Sequence, residues 1–163
     1  MSGEAYHLAV LQVVVPLLSA PFIILLRPRG LAWAGATAAS AMAFAIAATL
    51  TAGVLSGVEY RYAVGGWAAP YGIEIRVDAL TCLLLLVVTG ASLIALLAGR
   101  RSLDADIDNA RQPLFYAAWL LALAGLAGIV VSGDAFNIFV FMEVSSLASY
   151  ILIAAGPDRR ALP

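Results

Sequence analysis

The sequence contains no lysine, one cysteine and one histidine, and only 12% of its 163 residues are charged. Each shortage excludes something. A lone Cys82 has no partner for an intrachain disulfide or a metal cluster, so it reads as a small buried residue. His7, near one end of an apolar run, reads as solvated or interfacial. With no lysine, all nine basic residues are arginines. No phosphate-binding loop, metal-ligand cluster, nucleophile paired with a base, or basic nucleic-acid surface is present, so no cofactor, metal site, catalytic residue or nucleic-acid partner is expected.

What is abundant is apolar side chain. The chain is 63% hydrophobic, against roughly 45–50% apolar and 25% charged residues in a soluble domain. A helix needs ~20 apolar residues to cross a ~30 Å hydrocarbon core. Five uncharged runs meet that length: residues 8–26, 31–55, 79–98, 114–131 and 135–155. Lipid offers no partner to an unpaired backbone group, and the alternating pattern of a barrel is absent. The expected fold class is therefore all-α integral membrane, with residues 1–163 forming a single membrane domain of five helices.

An export signal begins with a positive region, whereas Glu4 and His7 precede the first run, so it is expected to be retained. Arg27, Arg29, Arg100, Arg101, Arg111, Arg159 and Arg160 fall on one side of the spans, and only Arg61 and Arg76 on the other. The positive-inside rule then places the N-terminus outside and the C-terminus in the cytoplasm. Asp78 and Asp134 are placed to cap the third and fifth spans, and Pro113 opens the fourth. Gly133 and Asp134 make a tight connection, so the last two spans must be antiparallel neighbours. Pro16 and Pro21 are expected to kink the first span. Gly35, Ala39, Ala43 and Ala47 recur every four residues as a smooth packing face on the second. The run "RRSLDADIDNAR" reads as a solvated cytoplasmic loop.

Between the second and third spans, "VEYRYAV" and "YGIEIRV" alternate apolar and charged residues with period two, the pattern of short strands. Setting Glu59 opposite Arg76 puts Arg61 opposite Glu74, Tyr60 opposite Ile75 and Tyr62 opposite Ile73. That register pairs opposite charges and neutralises both arginines. The segment "GGWAAP", with Gly65, Gly66 and Pro70, supplies turn residues. A short external β-hairpin is expected; the alternative is an interfacial loop whose Tyr60, Tyr62, Trp67 and Tyr71 lie at headgroup level.

One charge interrupts the last span. In "GDAFNIFVFMEVSSLASYILIAAG", Glu143 lies nine residues past Asp134, about 13 Å deep at ~1.5 Å per residue. An unpaired ionised acid there costs several kcal/mol. Three outcomes are physically open: permanent protonation, pairing with a cation on a neighbouring helix, or exposure to a hydrated path with changing protonation. Burial raises a carboxyl pKa and a nearby cation lowers it; acting together they create the condition for a proton relay. All nine arginines lie outside the spans, so a cationic partner must come from elsewhere. Ser146 and Tyr150 continue a polar stripe from Glu143, and Ile138, Val140 and Leu147 are expected on the opposite, apolar face.

The segment "GDAFNIFVFMEVSSLASYILIA" resembles the fifth helix of the antiporter-like subunits shared by Mrp-type cation/proton antiporters, complex I and membrane-bound hydrogenases. "VGGWAAPYGIEIRVDALTCLLLLV" is similar to the outer hairpin and third helix of the Mrp D subunit. The resemblance runs in order over spans two to five. It implies a subunit of a hetero-oligomeric complex in the cell membrane that handles protons, and in Mrp complexes Na⁺. It assigns the proton-pathway acid to Glu143. Members of that family carry many more helices, and a lysine on a later helix pairs with the fifth-helix acid. The present sequence ends at "GPDRRALP" without one, so it is expected to be the N-terminal five-helix portion of such a subunit, or to be completed by a second polypeptide. A complex I-like or hydrogenase proton-pumping subunit and a non-transporting membrane scaffold remain the alternatives.

Overall fold

The computed structural model describes residues 3–26, 29–63, 66 and 72–156. Six helices and two strands follow one another: α1 (Gly3–Leu25), α2 (Arg29–Leu55), β1 (Tyr60–Ala63), β2 (Glu74–Val77), α3 (Ala79–Ala98), α4 (Arg100–Asp106), α5 (Gln112–Val131) and α6 (Ala135–Ala154). Five of the helices are long and apolar enough to span a bilayer. The chain is a multi-pass membrane protein.

The ends of these helices are set by local chemistry. The Oδ1 atoms of Asp78 and Asp134 accept hydrogen bonds from the backbone N–H groups of Thr81 at 2.9 Å and Asn137 at 2.8 Å. Both therefore satisfy donors that the first turn of a helix leaves free. Pro113 lies in the first turn of α5, where its missing N–H costs no helical bond. Pro16 and Pro21 both lie inside α1. The Gly35 stripe behaves as expected: Ala39, Ala43 and Ala47 are buried, and Gly35 abuts Ile23 of α1.

Helix α5 is the centre. It packs against α1, α2, α3 and α6, and 61% of its apolar window is buried, against 11% for α6. Two apolar clusters mark the ends of an up-and-down bundle. One joins Ala20, Ile23, Ala32, Leu96, Ile107 and Tyr116; the other joins Ala9, Val13, Leu50, Cys82 and Val131 to the strand residues Tyr60, Ile75 and Val77. Cys82 is free and buried.

Two expectations need correction. The run after α3 is not a loop throughout, because residues 100–106 form a short helix with no buried residue. Its Arg, Ala and Asp side chains are exposed while Leu103 packs partly buried against the core, and an N–H of Ile107 to the Leu103 carbonyl closes the last turn at 3.1 Å. The charge-neutralising hairpin register is also wrong. The strands are antiparallel, but Tyr60 pairs with Val77, Arg61 with Arg76, Tyr62 with Ile75 and Ala63 with Glu74. A slip of two residues leaves the inward face unchanged, so the apolar pattern is satisfied by either register. Contacts outside the pair select the one adopted. The Tyr60 hydroxyl occupies the space a side chain would need at Gly53. On the other edge of β2, Ile75 bridges Ser132, and the Gly133 N–H donates to the Glu74 carbonyl at 2.7 Å. Gly66 has φ +77°, the left-handed conformation glycine tolerates. Gly65, Trp67, Pro70 and Tyr71 lie outside the described residues, as do Arg27, Arg159 and Arg160.

Candidate proton-pathway site on α6

The setting of α6 follows from two glycines on α5. A side chain at Gly125 would collide with Ser145 and the Phe141 carbonyl, and one at Gly128 with the Phe141 ring. The two backbones therefore approach closely. The inner face of α6 consists of Asn137, Phe141, Ser145 and Ala148, of which Asn137 and Ala148 are buried. Ser149 turns its hydroxyl back to the Ser145 carbonyl at 2.8 Å.

With 3.6 residues per turn, Glu143 lies on the far side from this seam. Its side chain is exposed, pointing away from the other four spans, and among the described residues it has no hydrogen bond or ion pair. Ser146 is half-buried and Tyr150 is 67% exposed. The stripe is thus outward-facing. The expected apolar face opposite it does not exist as such: Val140 and Leu147 stand three and four residues from Glu143, share its face and are exposed, as is Ile138. The outer half of α6 mixes one carboxyl with apolar side chains and is uncovered.

Sequence reasoning missed other polar groups. Gln12, within α1, is completely buried, and neither its amide nitrogen nor its oxygen has a partner among the described residues. A lone glutamine inside "AVLQVVVP" was the available signal. Near the α4 end, the Gln112 amide donates to the Ile107 carbonyl and to Asp104 Oδ1, both at 3.3 Å, while its oxygen and the buried Tyr116 hydroxyl are unpartnered among the described residues. Mid-bundle, Trp119 Nε1 donates to Ser92 Oγ at 2.8 Å, and Ser92 meets Ser40 at 3.2 Å, linking α5, α3 and α2. At the α4 end, Arg100 stacks over the Trp33 ring at 3.9 Å, and Trp33 Nε1 donates to the Leu96 carbonyl at 2.9 Å. None of these groups is brought to Glu143 by the described residues.

Comparison with protein-family profiles gives no match. Among curated proteins, the chain is 41% identical over 165 residues to the N subunit of the NADH-quinone oxidoreductase of Desulforudis audaxviator, covering 94% of this chain and 31% of that one. It is 34% identical over 151 residues to the D subunit of the Na⁺/H⁺ antiporter of Bacillus subtilis, covering 92% and 30% respectively. The chain belongs to the family of antiporter-like membrane subunits. Its backbone agrees: a chain of the Mrp complex from Dietzia sp. DQ12-45-1b superposes with a TM-score of 0.80 at 28% identity, over 92% of this chain and 27% of that chain. The chain therefore spans about a third of the length of the antiporter-like subunits it matches.

Proposed function

We propose that the chain is part of a subunit of a multisubunit Na⁺/H⁺ antiporter in the cell membrane, with its N-terminus and hairpin outside, and that Glu143 carries protons through it. The observation supporting this most directly is positional. Glu143 is the only Asp, Glu, Lys or Arg within the five spans, and it projects from the outer face of the least buried of them. A carboxyl at that depth needs a partner, a bound proton or water, and an assembly that supplies these along a continuous path makes it a relay. The names of the relatives support an antiporter or complex I-like setting. In the sequence, seven arginines flank the spans on one side of the alternation and two on the other, which supports the orientation.

A second reading has its own support. The 41% identity to a quinone-reductase subunit fits a redox-driven assembly in which this part still handles protons and other subunits hold the cofactors.

Glu143→Gln in the complete assembly tests the role, because glutamine keeps the shape but cannot titrate. In inverted membrane vesicles, Na⁺-driven proton movement is expected to fall to the level of vesicles lacking the subunit, at unchanged complex abundance. Normal transport by that variant defeats the relay and leaves a scaffold. Proton movement that follows respiration and ignores Na⁺ transfers the same residue to the redox-driven setting.

A further inference from the structure

The hairpin register leaves two arginines facing each other. Arg61 and Arg76 are direct cross-strand neighbours, both exposed on the face turned away from the bundle. Among the described residues neither has an ion-pair partner. Like charges directly opposite on a strand pair repel, so the arrangement favours an anion between them. Arginines at directly opposed strand positions are placed to offer two planar guanidinium groups to the oxygens of one phosphate.

The two arginines line a cavity of about 310 Å³ together with the carboxylates of Glu59 and Asp78 and the apolar side chains of Val54 and Val58. Four charges of both signs cancel, which suits a ligand carrying one of each. The cavity also lies where two spans end, at the close of α2 and the start of α3. Directly beyond its lining residue Ala79, one face of α3 presents Leu80, Leu83, Leu84 and Val87, all 42–64% exposed. A charged mouth that runs into an apolar strip along a membrane span has the shape of an amphiphile.

We propose that this cavity binds a zwitterionic, amine-bearing phospholipid, with its phosphate held between Arg61 and Arg76, its ammonium directed to Glu59 and Asp78, and an acyl chain along Leu80, Leu84 and Val87. A singly anionic headgroup would satisfy the arginines but bring no cation to the carboxylates, which gives the site its selectivity. The site is independent of Glu143 and of which ion the assembly moves.

The test is lipid binding by the delipidated native assembly, followed by native mass spectrometry, with phosphatidylethanolamine, phosphatidylglycerol and inorganic phosphate as probes. Phosphatidylethanolamine is expected to bind saturably and in preference to phosphatidylglycerol, and excess inorganic phosphate is expected to leave it bound. Arg61→Gln with Arg76→Gln should weaken that binding more than tenfold, since one lost charge-assisted hydrogen bond alone is worth about tenfold. Glu59→Gln should erase the preference over phosphatidylglycerol. Unchanged lipid retention in the arginine double variant overturns the proposal, as does equal binding of both lipids by the unsubstituted assembly. Displacement by inorganic phosphate alone assigns the arginines to a free anion and overturns the lipid. Should the variants fail to assemble, a photoactivatable phosphatidylethanolamine on the unsubstituted assembly decides: adducts within residues 54–61 or 76–87 support the site, and adducts confined elsewhere overturn it.

Discussion

Asp78 shows how one side chain couples a helix end to pH. The Thr81 backbone N–H and hydroxyl bond its carboxylate, and Arg76 adds attraction, so its pKa is held below the ordinary 3.8. A lowered folded pKa means that the ionised form is the stabilising one. The contribution is complete above the ordinary carboxylate range and is lost as pH falls through the lowered value. Asp78→Ala should therefore lower the thermal stability of the purified assembly at neutral pH by about 1 kcal/mol, the usual cost of losing an N-cap. The difference from the unsubstituted protein should shrink in buffers below the ordinary carboxylate pKa; a gap that stays constant in acid excludes the carboxylate as its source. Gln12 makes the opposite case. A buried amide with both ends unpartnered costs ~1–3 kcal/mol for each group left without a bond. Gln12→Met, of similar shape, should leave the assembly at least as stable, by about 1 kcal/mol or more in thermal unfolding. Marked destabilisation would show that the amide is bonded in the assembly.

At the scale of elements, the spans and caps were legible and the hairpin only half so. Strand alternation correctly indicated which side of "YRYA" and "EIRV" faces inward, because side chains alternate with period two. It could not indicate the register, since a two-residue slip preserves every facing. Charge pairing was the wrong tiebreaker: exposed ion pairs contribute at most ~1 kcal/mol, whereas Tyr60, Ile75 and Val77 are buried against the bundle. Cross-linking reads the register directly. In a Cys82→Ala background, Ala63→Cys with Glu74→Cys should form a disulfide on mild oxidation, and Arg61→Cys with Glu74→Cys should not. The reverse outcome restores the charge-paired register. The short helix α4 escaped for a related reason, because a charged seven-residue run without an apolar stripe carries no periodic signal.

For the whole molecule, the five spans form one bundle around α5 with an uneven boundary. Four helices share buried faces, while α6 is attached along the Gly125–Gly128 seam and leaves Phe136, Leu147, Tyr150 and Ile153 more than half exposed. The antiporter-like subunits this chain matches are about three times as long as the matched part, and the proposed function places further protein against that face. A spin label at Leu147→Cys should collide freely with dissolved oxygen when the 163-residue chain is alone in lipid vesicles. In the full assembly its collision rate should fall several-fold, which is measurable by power-saturation resonance. Equal accessibility in both would show that the face meets lipid, and would leave Glu143 without a protein partner.

Sequence alone determined the number of spans, their approximate ends and the presence of an acid midway along the last one. Those properties depend on run length against bilayer thickness and on bonds within one helical turn. Only the tertiary structure decided the rotation of α6 and the pairing of the strands. Both answer to contacts with elements far along the chain, the α5 glycines and the Gly53 notch for Tyr60, and a periodic pattern is blind to where its neighbours stand.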